Sequence, residues 1–241
     1  MRSLCYVAVA FALAIPGVEG QPRPSAAELV KEFETTTVFW QQAEIAMRII
    51  ATHDASVLPR LESWLTIDDR HLRGNAALIF AGLGDSRGFD AITAILTDRS
   101  QRGPGQGIVS ATSIGGFSVR QQIRADRYYA AHLLGDLKDP RAVPILVPLL
   151  TDPEVSSVVP WSLGQIGDRS AIPPLVQQLS DSDPDLRVLA IYALADLKAT
   201  EALPKLRELV GDTQRRTFDK LETVGEAARA AIAKVESGVG R

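Results

Sequence analysis

The sequence predicts an all-α protein built of stacked antiparallel helix hairpins, and three observations support this fold class. A segment beginning at Leu134 is repeated at Leu163 and again at Leu194, so the copies start 29 and 31 residues apart. Within each copy, apolar residues recur at the three- and four-residue spacing of one helix face. Aromatic residues make up only 6% of the chain, which favours close helix contacts between alanine and leucine. A repeat near 30 residues predicts a solenoid, because no unit can bury its apolar face alone.

The third copy gives the clearest hairpin. Its first helix is predicted from an apolar stripe formed by Leu186, Leu189, Ala190, Ala193, Leu194 and Leu197. A shorter second helix begins near Pro204, where proline is tolerated because the first backbone N–H groups of a helix have no acceptor within it. In the two preceding copies, Asp139 and Asp168 stand before the second helix and are predicted as its N-caps.

Extending this pattern along the chain predicts five hairpins and a closing helix. Residues 28–40 are expected to form or extend an N-terminal cap. Residues 227–232 are expected to lie in a final helix that resembles the first helix of a hairpin but has no second helix after it. Pro160 interrupts the first helix of its unit and is expected to kink it. We therefore expect one solenoid domain over 28–241.

Residues 1–20 have the features of a secretory signal peptide. An apolar run over 5–15 follows one positive charge, is too short to span a bilayer, and ends before small residues that fit a cleavage site ahead of Gln21. An uncleaved anchor is the alternative. Residues 21–27 are rich in proline and are predicted to form a flexible leader. This pattern predicts export to the periplasm or the cell exterior.

Composition and motif spacing exclude several classes of function. The net charge of −3 provides no basic surplus for nucleic-acid binding. Cys5 is the single cysteine and lies in the predicted signal peptide, so the mature chain would have no thiol chemistry. The acids of 181–185 resemble a calcium loop, but Leu186 and Tyr192 stand where that loop needs glycine and glutamate. We expect no metal, no cofactor and no transmembrane span in the mature chain.

The chain resembles the HEAT repeat, and more narrowly the HEAT-like repeat named after phycobilin (PBS) lyases. The residues that carry this resemblance are Arg187, Val188, Ala190, Ala193, Leu194, Ala202 and Pro204. It covers roughly 43–235 and is strongest over 127–212. It implies a right-handed α-solenoid of the armadillo type, with second helices lining the concave side. Because this repeat serves scaffolds, lyase subunits and a few enzymes alike, it is specific for fold and not for function.

Three residues recur in register in the first helices, and we expect them to have a structural role. They are Arg73, Arg127 and Arg187. The simplest arrangement is a ladder in which each guanidinium binds turn carbonyls or acids such as Asp139 and Asp168 of adjacent units. A histidine, His132, stands where the other copies carry large rings, and we interpret it as a packing residue.

An insertion over 99–119 breaks the repeat. The segment is rich in glycine, yet it contains arginines and apolar residues that a solvated linker would not need: Arg99, Arg102, Ile108 and Phe117. A long loop in a compact domain is typically functional or disordered. We expect this one to fold over the solenoid or to grip a partner, and an insertion without a role is the alternative.

These observations favour an exported scaffold that binds a protein or peptide on its concave face and has no catalysis of its own. The second-helix residues expected to contact the partner are Arg60, Glu62, Gln177, Gln178, Lys205 and Glu208. A solvated surface would explain the same polar residues. The alternative is an accessory or catalytic subunit of a lyase, by analogy with the HEAT-like bilin lyases, and a spacer in a larger assembly is a third possibility. The predicted signal peptide counts against the lyase alternative, because bilin attachment is cytosolic chemistry.

Overall fold

The structure is a computed structural model that describes residues 24–100, 119–217 and 222–239. Within these ranges the chain is almost entirely helical, and one isolated bridge between Arg215 and Thr223 is the extent of its β-structure. The α-helices are α1 (Ala26–Thr35), α2 (Phe39–Ile50), α3 (Leu58–Leu61), α4 (Arg70–Gly82), α5 (Ser86–Thr97), α6 (Val119–Leu137), α7 (Val143–Leu146), α8 (Val159–Ile166), α9 (Ile172–Gln178), α10 (Pro184–Asp196), α11 (Leu203–Leu209) and α12 (Val224–Val239).

The helices pair into hairpins along the chain. Each of α2, α4, α6, α8 and α10 is a first helix followed by a shorter second helix, and α12 packs against α10 and α11. The first helices contact one another in the series α2, α4, α6, α8, α10 and α12. This serial packing of antiparallel hairpins confirms the predicted all-α solenoid.

Close approach between first helices depends on glycine. A Cβ atom at Gly135 of α6 would lie 2.8 Å from the Cα of Ser162 on α8. One at Gly164 of α8 would lie 3.3 Å from the Cα of Ala193 on α10. The small residues of the repeat therefore set the spacing between α6, α8 and α10.

The second helices begin in one recurring way. Asp139 caps the turn before α7 by accepting from the Arg141 amide at 2.9 Å, and Asp168 does so before α9 by accepting from the Ser170 amide at 2.8 Å. A single 3-10 turn then leads into the helix, and the proline follows at its second position.

Pro160, in the first helix α8, differs from expectation. It lies in the first turn of α8, so it begins that helix and does not kink it.

Two apolar cores meet at α4. One core joins α1, α2 and α3 to α4 around Phe33, Ile49 and Phe80, and the other runs from α4 through to α12. Asp69 caps α4 by accepting from the amides of His71 and Leu72. The solenoid is thus continuous through α4, which contributes side chains to both cores.

Several sequence predictions fall on parts of the chain outside the described residues. These are the signal peptide over 1–20, the start of the leader at 21–23, and the stretch 101–118 of the insertion with Arg102, Ile108 and Phe117. At the borders, the structure differs from the predicted bounds: α1 already begins at Ala26, capped by Ser25, and α6 begins at Val119. Across the three described ranges, no helix is long and apolar enough to cross a membrane.

Candidate functional site

An apolar groove lies between α7 and α9. Its volume is about 710 Å³, and it is lined by Val143, Pro144, Val147, Pro148, Ser170, Pro173, Pro174, Val176 and Gln177. This volume falls in the range of small-molecule sites, which are mostly apolar with few polar groups. Proline rings fix the backbone around the groove, so its walls need little ordering when a ligand binds.

The groove is confined to two units because the equivalent positions of α11 are charged. Val147 and Val176 correspond to Arg207, which forms an ion pair with Glu236 at 2.9 Å. Gln177 corresponds to Glu208, which binds a neighbouring lysine. The apolar character of the groove is therefore a property of α7 and α9 and not of the repeat as such.

A buried polar cluster joins α4 to α6 beside the insertion. Its centre is Asp126, whose side chain is fully buried. The guanidinium of Arg70 donates to Asp126 at 3.2 Å, to Asp98 at 2.5 Å and to the Ser100 hydroxyl at 2.7 Å. The His71 Nδ1 lies 3.3 Å from the other Asp126 oxygen. These bonds fix the chain where the insertion leaves α5.

Aromatic rings surround the same cluster. His71 stacks on Tyr129 at a centroid distance of 5.0 Å, and Phe39 of α2 packs against both rings. The Tyr129 hydroxyl donates to Asn75, whose amide in turn donates to the Phe39 carbonyl at 2.8 Å. Burial raises the pKa of Tyr129, so this hydroxyl stays protonated and serves as a donor. The cluster thus fixes the orientation of three helices, α2, α4 and α6.

The recurring arginines bind the turns that end the second helices. Arg127 donates to the Leu96 carbonyl at 2.8 Å, to Asp152 at 2.7 Å and also to Glu154. Arg187 donates to the Asp181 carbonyl at 2.7 Å and to Asp212 at 3.0 Å.

The structure thus contains a ladder, but its carboxylates differ from the expected ones. They are Asp152 and Asp212, each 25 residues after its arginine, whereas Asp139 and Asp168 serve as caps. Arg73 donates to the Ile67 carbonyl at 2.8 Å. The arginines bind the far end of the hairpin because first and second helices run antiparallel, which brings the end of one beside the start of the other.

Charge pairing lowers the pKa values of the turn acids. The hydrogen bond from Arg127 holds the pKa of Asp152 below its usual value, and this outweighs burial. Burial pushes the pKa of Asp98 upward, but bonds from Ser100 and the charges of Arg70 and Arg73 outweigh it and lower the pKa. Both carboxylates are therefore held in the ionised form that pairs with arginine.

A second concavity, the arginine cleft, lies where α6 begins. Its volume is about 320 Å³, and it is lined by Arg120, Gln121, Arg124, Pro153 and Glu154. Arg99, from the start of the insertion, contacts the adjoining acids: it donates to Asp152 at 2.7 Å and to Glu154 at 3.3 Å. The cleft therefore lies next to the ion pairs that Arg127 forms with Asp152 and Glu154.

Most residues predicted to contact a partner bind other residues of the chain. Arg60 pairs with Glu34 of α1, and Glu62 pairs with Arg87 of α5. Lys205 and Glu208 pair with each other at 2.8 Å.

The two glutamines that were predicted to contact a partner lie in different environments. Gln178 differs from expectation, because it is buried and donates to the Leu150 carbonyl at 3.2 Å, so it faces the neighbouring hairpin and not a partner. Gln177 lines the groove.

His132 lies on the first-helix surface, against a ring of the next unit. It stacks on Trp161 at a centroid distance of 4.1 Å, and its Nδ1 lies 3.1 Å from Asp136. Among the described residues, no group of three or more histidine, cysteine and acidic side chains is arranged to hold a metal ion.

Sequence reasoning missed both the groove and the buried cluster. The groove had a signal, because the Val-Pro pairs at 143–144 and 147–148 and the Pro-Pro pair at 173–174 concentrate rigid apolar rings in two neighbouring second helices. Nothing comparable marks Asp126 or Asn75 as buried, because an isolated polar residue on a helix is ordinarily exposed.

Comparison with known proteins identifies the repeat. A family model described as HEAT repeats matches residues 121–177 and 151–220. Together with the serial hairpins, this match identifies HEAT repeats over residues 121–220.

The curated relatives are bilin biosynthesis proteins. The chain is 36% identical over 105 residues to the bilin biosynthesis protein PecE of Mastigocladus laminosus, a match that covers 42% of this chain and 36% of that protein. It is 32% identical over 145 residues to PecE of a Nostoc species, which covers 59% of this chain and 51% of that protein. The matches thus span about a third to a half of the relatives' length.

Two solved structures are similar at low identity. One is the complex of CpcE and CpcF of phycocyanin lyase from Nostoc, with a TM-score of 0.49, 20% identity and coverage of 94% of this chain and 70% of that chain. The other is an engineered protein, with a TM-score of 0.43, 20% identity and coverage of 90% and 98%. Likenesses at this level do not bear on function.

The relatives correct the function expected from sequence. The prediction of an exported scaffold without catalysis is wrong, because the curated proteins that the chain resembles act in bilin biosynthesis. They favour the lyase-type alternative over the scaffold.

Proposed function

We propose that this chain is a HEAT-repeat subunit of a lyase-type enzyme and binds a linear tetrapyrrole or a closely related pigment. The observation that carries the proposal is the identity of 36% and 32% to two bilin biosynthesis proteins. The shared stretches are 105 and 145 residues long, which is several repeats and more than one helix hairpin would explain.

The groove between α7 and α9 is the site we assign to the pigment. A linear tetrapyrrole is a long chain of flat conjugated rings with a large apolar surface. Val147, Val176 and the prolines offer a matching apolar wall, and burial of apolar surface contributes about 25 cal/mol per Å². Gln177 at the edge supplies a polar group that could orient one end of the ligand.

The role we propose is to hold and orient the pigment while a partner protein supplies the reacting thiol. The sequence has one cysteine, Cys5, which lies outside the described residues, so the described residues offer no thiol nucleophile. Positioning two reactants can itself lower a barrier by several kcal/mol. This chain would then act as the pigment-holding subunit, and an acceptor protein is its proposed partner.

Pigment binding can be tested with biliverdin as the probe. Titration into the full chain, followed by visible absorption and induced circular dichroism, should show a saturable 1:1 complex. Val176→Arg gives α9 the residue that α11 already carries at this position, so the fold should tolerate it. We expect this variant to weaken binding by at least tenfold, which corresponds to about 1.4 kcal/mol.

Met47→Arg is the matched control, because it places the same charge on an exposed apolar site of α2. It should bind biliverdin like the wild type. Equal binding by Val176→Arg and the wild type would reject the groove, and the lack of a saturable complex with the wild type would reject the proposed function.

Export is a separate proposal that rests on the sequence of residues 1–20 alone, and it competes with the lyase role because bilin attachment is cytosolic chemistry. It predicts that the protein isolated from its native cells begins at Gln21 and is found outside the cytoplasm. N-terminal sequencing checks this, and a native protein that retains residues 1–20 in the cytoplasm would contradict it.

A further inference from the structure

The arginine cleft carries more positive charge than its own acids can balance. Asp152 and Glu154 are both bound by Arg127, and both are bound again by Arg99. Two carboxylates are thus matched by two guanidiniums before the cleft's own arginines are counted.

Arg120 and Arg124 are the two arginines of the cleft that these two carboxylates do not bind. Both are exposed and line the cleft, and among the residues that the structure describes neither has an ion-pair or hydrogen-bond partner. They lie four residues apart on α6, where like charges repel and disfavour the helix. Glu154, the single acid of the cleft, is already held by Arg127 and Arg99. A bound anion would relieve this repulsion.

We propose that the arginine cleft is an oxyanion site that binds a carboxylate of the ligand, and, resting on the proposed function, that this carboxylate is a propionate arm of the pigment. The planar guanidinium fork matches a carboxylate through two parallel hydrogen bonds, and two forks in one cleft can hold one or both arms.

One short segment of chain, residues 148–153, connects a residue that borders the groove to a residue that borders the cleft. Pro148 borders the groove and Pro153 borders the cleft, and five residues of chain reach at most about 18 Å. A ligand with an apolar body and carboxylate arms therefore finds an apolar surface and a cationic one near each other. Neither surface alone would distinguish such a ligand from a plain hydrocarbon or a plain anion.

The test compares biliverdin with its dimethyl ester, in which both carboxylates are blocked. The full-length protein should bind the free acid about tenfold or more tightly than the ester. In Arg120→Gln/Arg124→Gln this preference should disappear. The control Arg48→Gln/Arg207→Gln also removes two exposed arginine charges, but from surface ion pairs elsewhere, and it should keep the preference. Far-ultraviolet circular dichroism would establish that each variant is folded.

Failure of the inference differs from failure of the proposed function. Equal binding of acid and ester by the wild type, or a preference that survives in Arg120→Gln/Arg124→Gln, overturns the oxyanion site while leaving pigment binding intact.

If the wild type binds neither pigment, the proposed function fails, and citrate then tests the site alone. NMR shifts of the Arg120 and Arg124 side chains that saturate with citrate would support the site. A lack of such shifts would overturn it.

Discussion

The junction between α4 and α6 and the junction between α8 and α10 join successive first helices in opposite ways. At the first, Asp126, Arg70 and Asn75 are buried and bound by hydrogen bonds. At the second, Gly164 packs on Ala193 with a van der Waals fit. The polar junction lies where the insertion interrupts the repeat, and the apolar junction lies where the repeat is regular. Gly74 also allows a close approach at the first junction, but there directional bonds between buried polar groups are added to the packing.

The largest effect is expected from Asp126→Ala. This change leaves the guanidinium of Arg70 and the ring of His71 without their buried carboxylate. Loss of one partner of a buried pair costs about 3–5 kcal/mol in the free energy of unfolding. Urea denaturation measures it, with Asp126→Asn, which keeps the shape, expected to lose less. A loss below about 1 kcal/mol would remove the distinction between the two junctions.

Arg127→Met should cost about 3 kcal/mol, because it strips two turn acids of a guanidinium that is 2% exposed. The pKa of Asp152 is lowered in the folded state, so its pairing stabilises the fold above the unfolded pKa near 3.8 and is lost as pH falls through the lower folded value. The difference between wild type and Arg127→Met should therefore shrink below about pH 4.

Unfolding curves at several pH values check this prediction for Arg127. Arg141→Met is the control, because its partner Asp139 lies in an exposed pair that is worth at most about 1 kcal/mol. A difference that stays constant down to pH 2 would show that Arg127 stabilises the fold by packing and not by charge.

Alanine substitutions at Gly135 and Gly164 compare how tightly the α6–α8 and α8–α10 junctions are packed. Gly135→Ala places a Cβ 2.8 Å from the Cα of Ser162, whereas Gly164→Ala places one 3.3 Å from the Cα of Ala193. Overpacking costs about 1–3 kcal/mol, so Gly135→Ala should destabilise more than Gly164→Ala. Thermal melting of both variants tests the order, and the reverse order would contradict the packing account.

The smallest effect is expected from Asp168→Ala, which removes the N-cap before α9. The Asp168 side chain accepts from the Ser170 amide, and loss of such a cap costs about 1 kcal/mol. The melting temperature should fall by a few degrees. Asp168→Asn should retain most of the stability, because asparagine caps nearly as well. An unchanged melting temperature in Asp168→Ala would show that the turn is held by the packing of Ala171 and Leu175 alone.

The helices and caps of the regular repeats, from α6 to α11, could be predicted from sequence because each has a local signal. The second-position prolines of α7, α9 and α11 and the capping acids Asp139 and Asp168 all act within one or two turns. The apolar residues of α10 predicted a helix, but its burial extends beyond the predicted stripe to Val188 and Ile191. Pro160 is the exception, because it was predicted to kink a helix that it in fact starts. A proline in the first turn begins a helix and one in the middle kinks it, and the start of α8 depends on tertiary packing.

The site was not readable in the same way because it depends on neighbours distant in sequence. Asp152 meets Arg127 only once the hairpin has folded, and α7 and α9 form a groove only once their units stack. The polar second-helix residues looked suited to a partner, yet Arg60 and Glu62 bind Glu34 and Arg87. Exposure and charge identify a candidate surface, but pairing within the chain decides which charges remain for a ligand.

The most direct test of pigment binding is a methyl NMR titration of the valine-labelled full chain with biliverdin. We expect saturable shifts at Val143, Val147 and Val176, which line the groove, and none at Val30 or Val235, which are buried elsewhere. Saturation at one equivalent of pigment would locate the ligand between α7 and α9. Shifts confined to other valines, or none at all, would contradict the assignment of the groove as the pigment site.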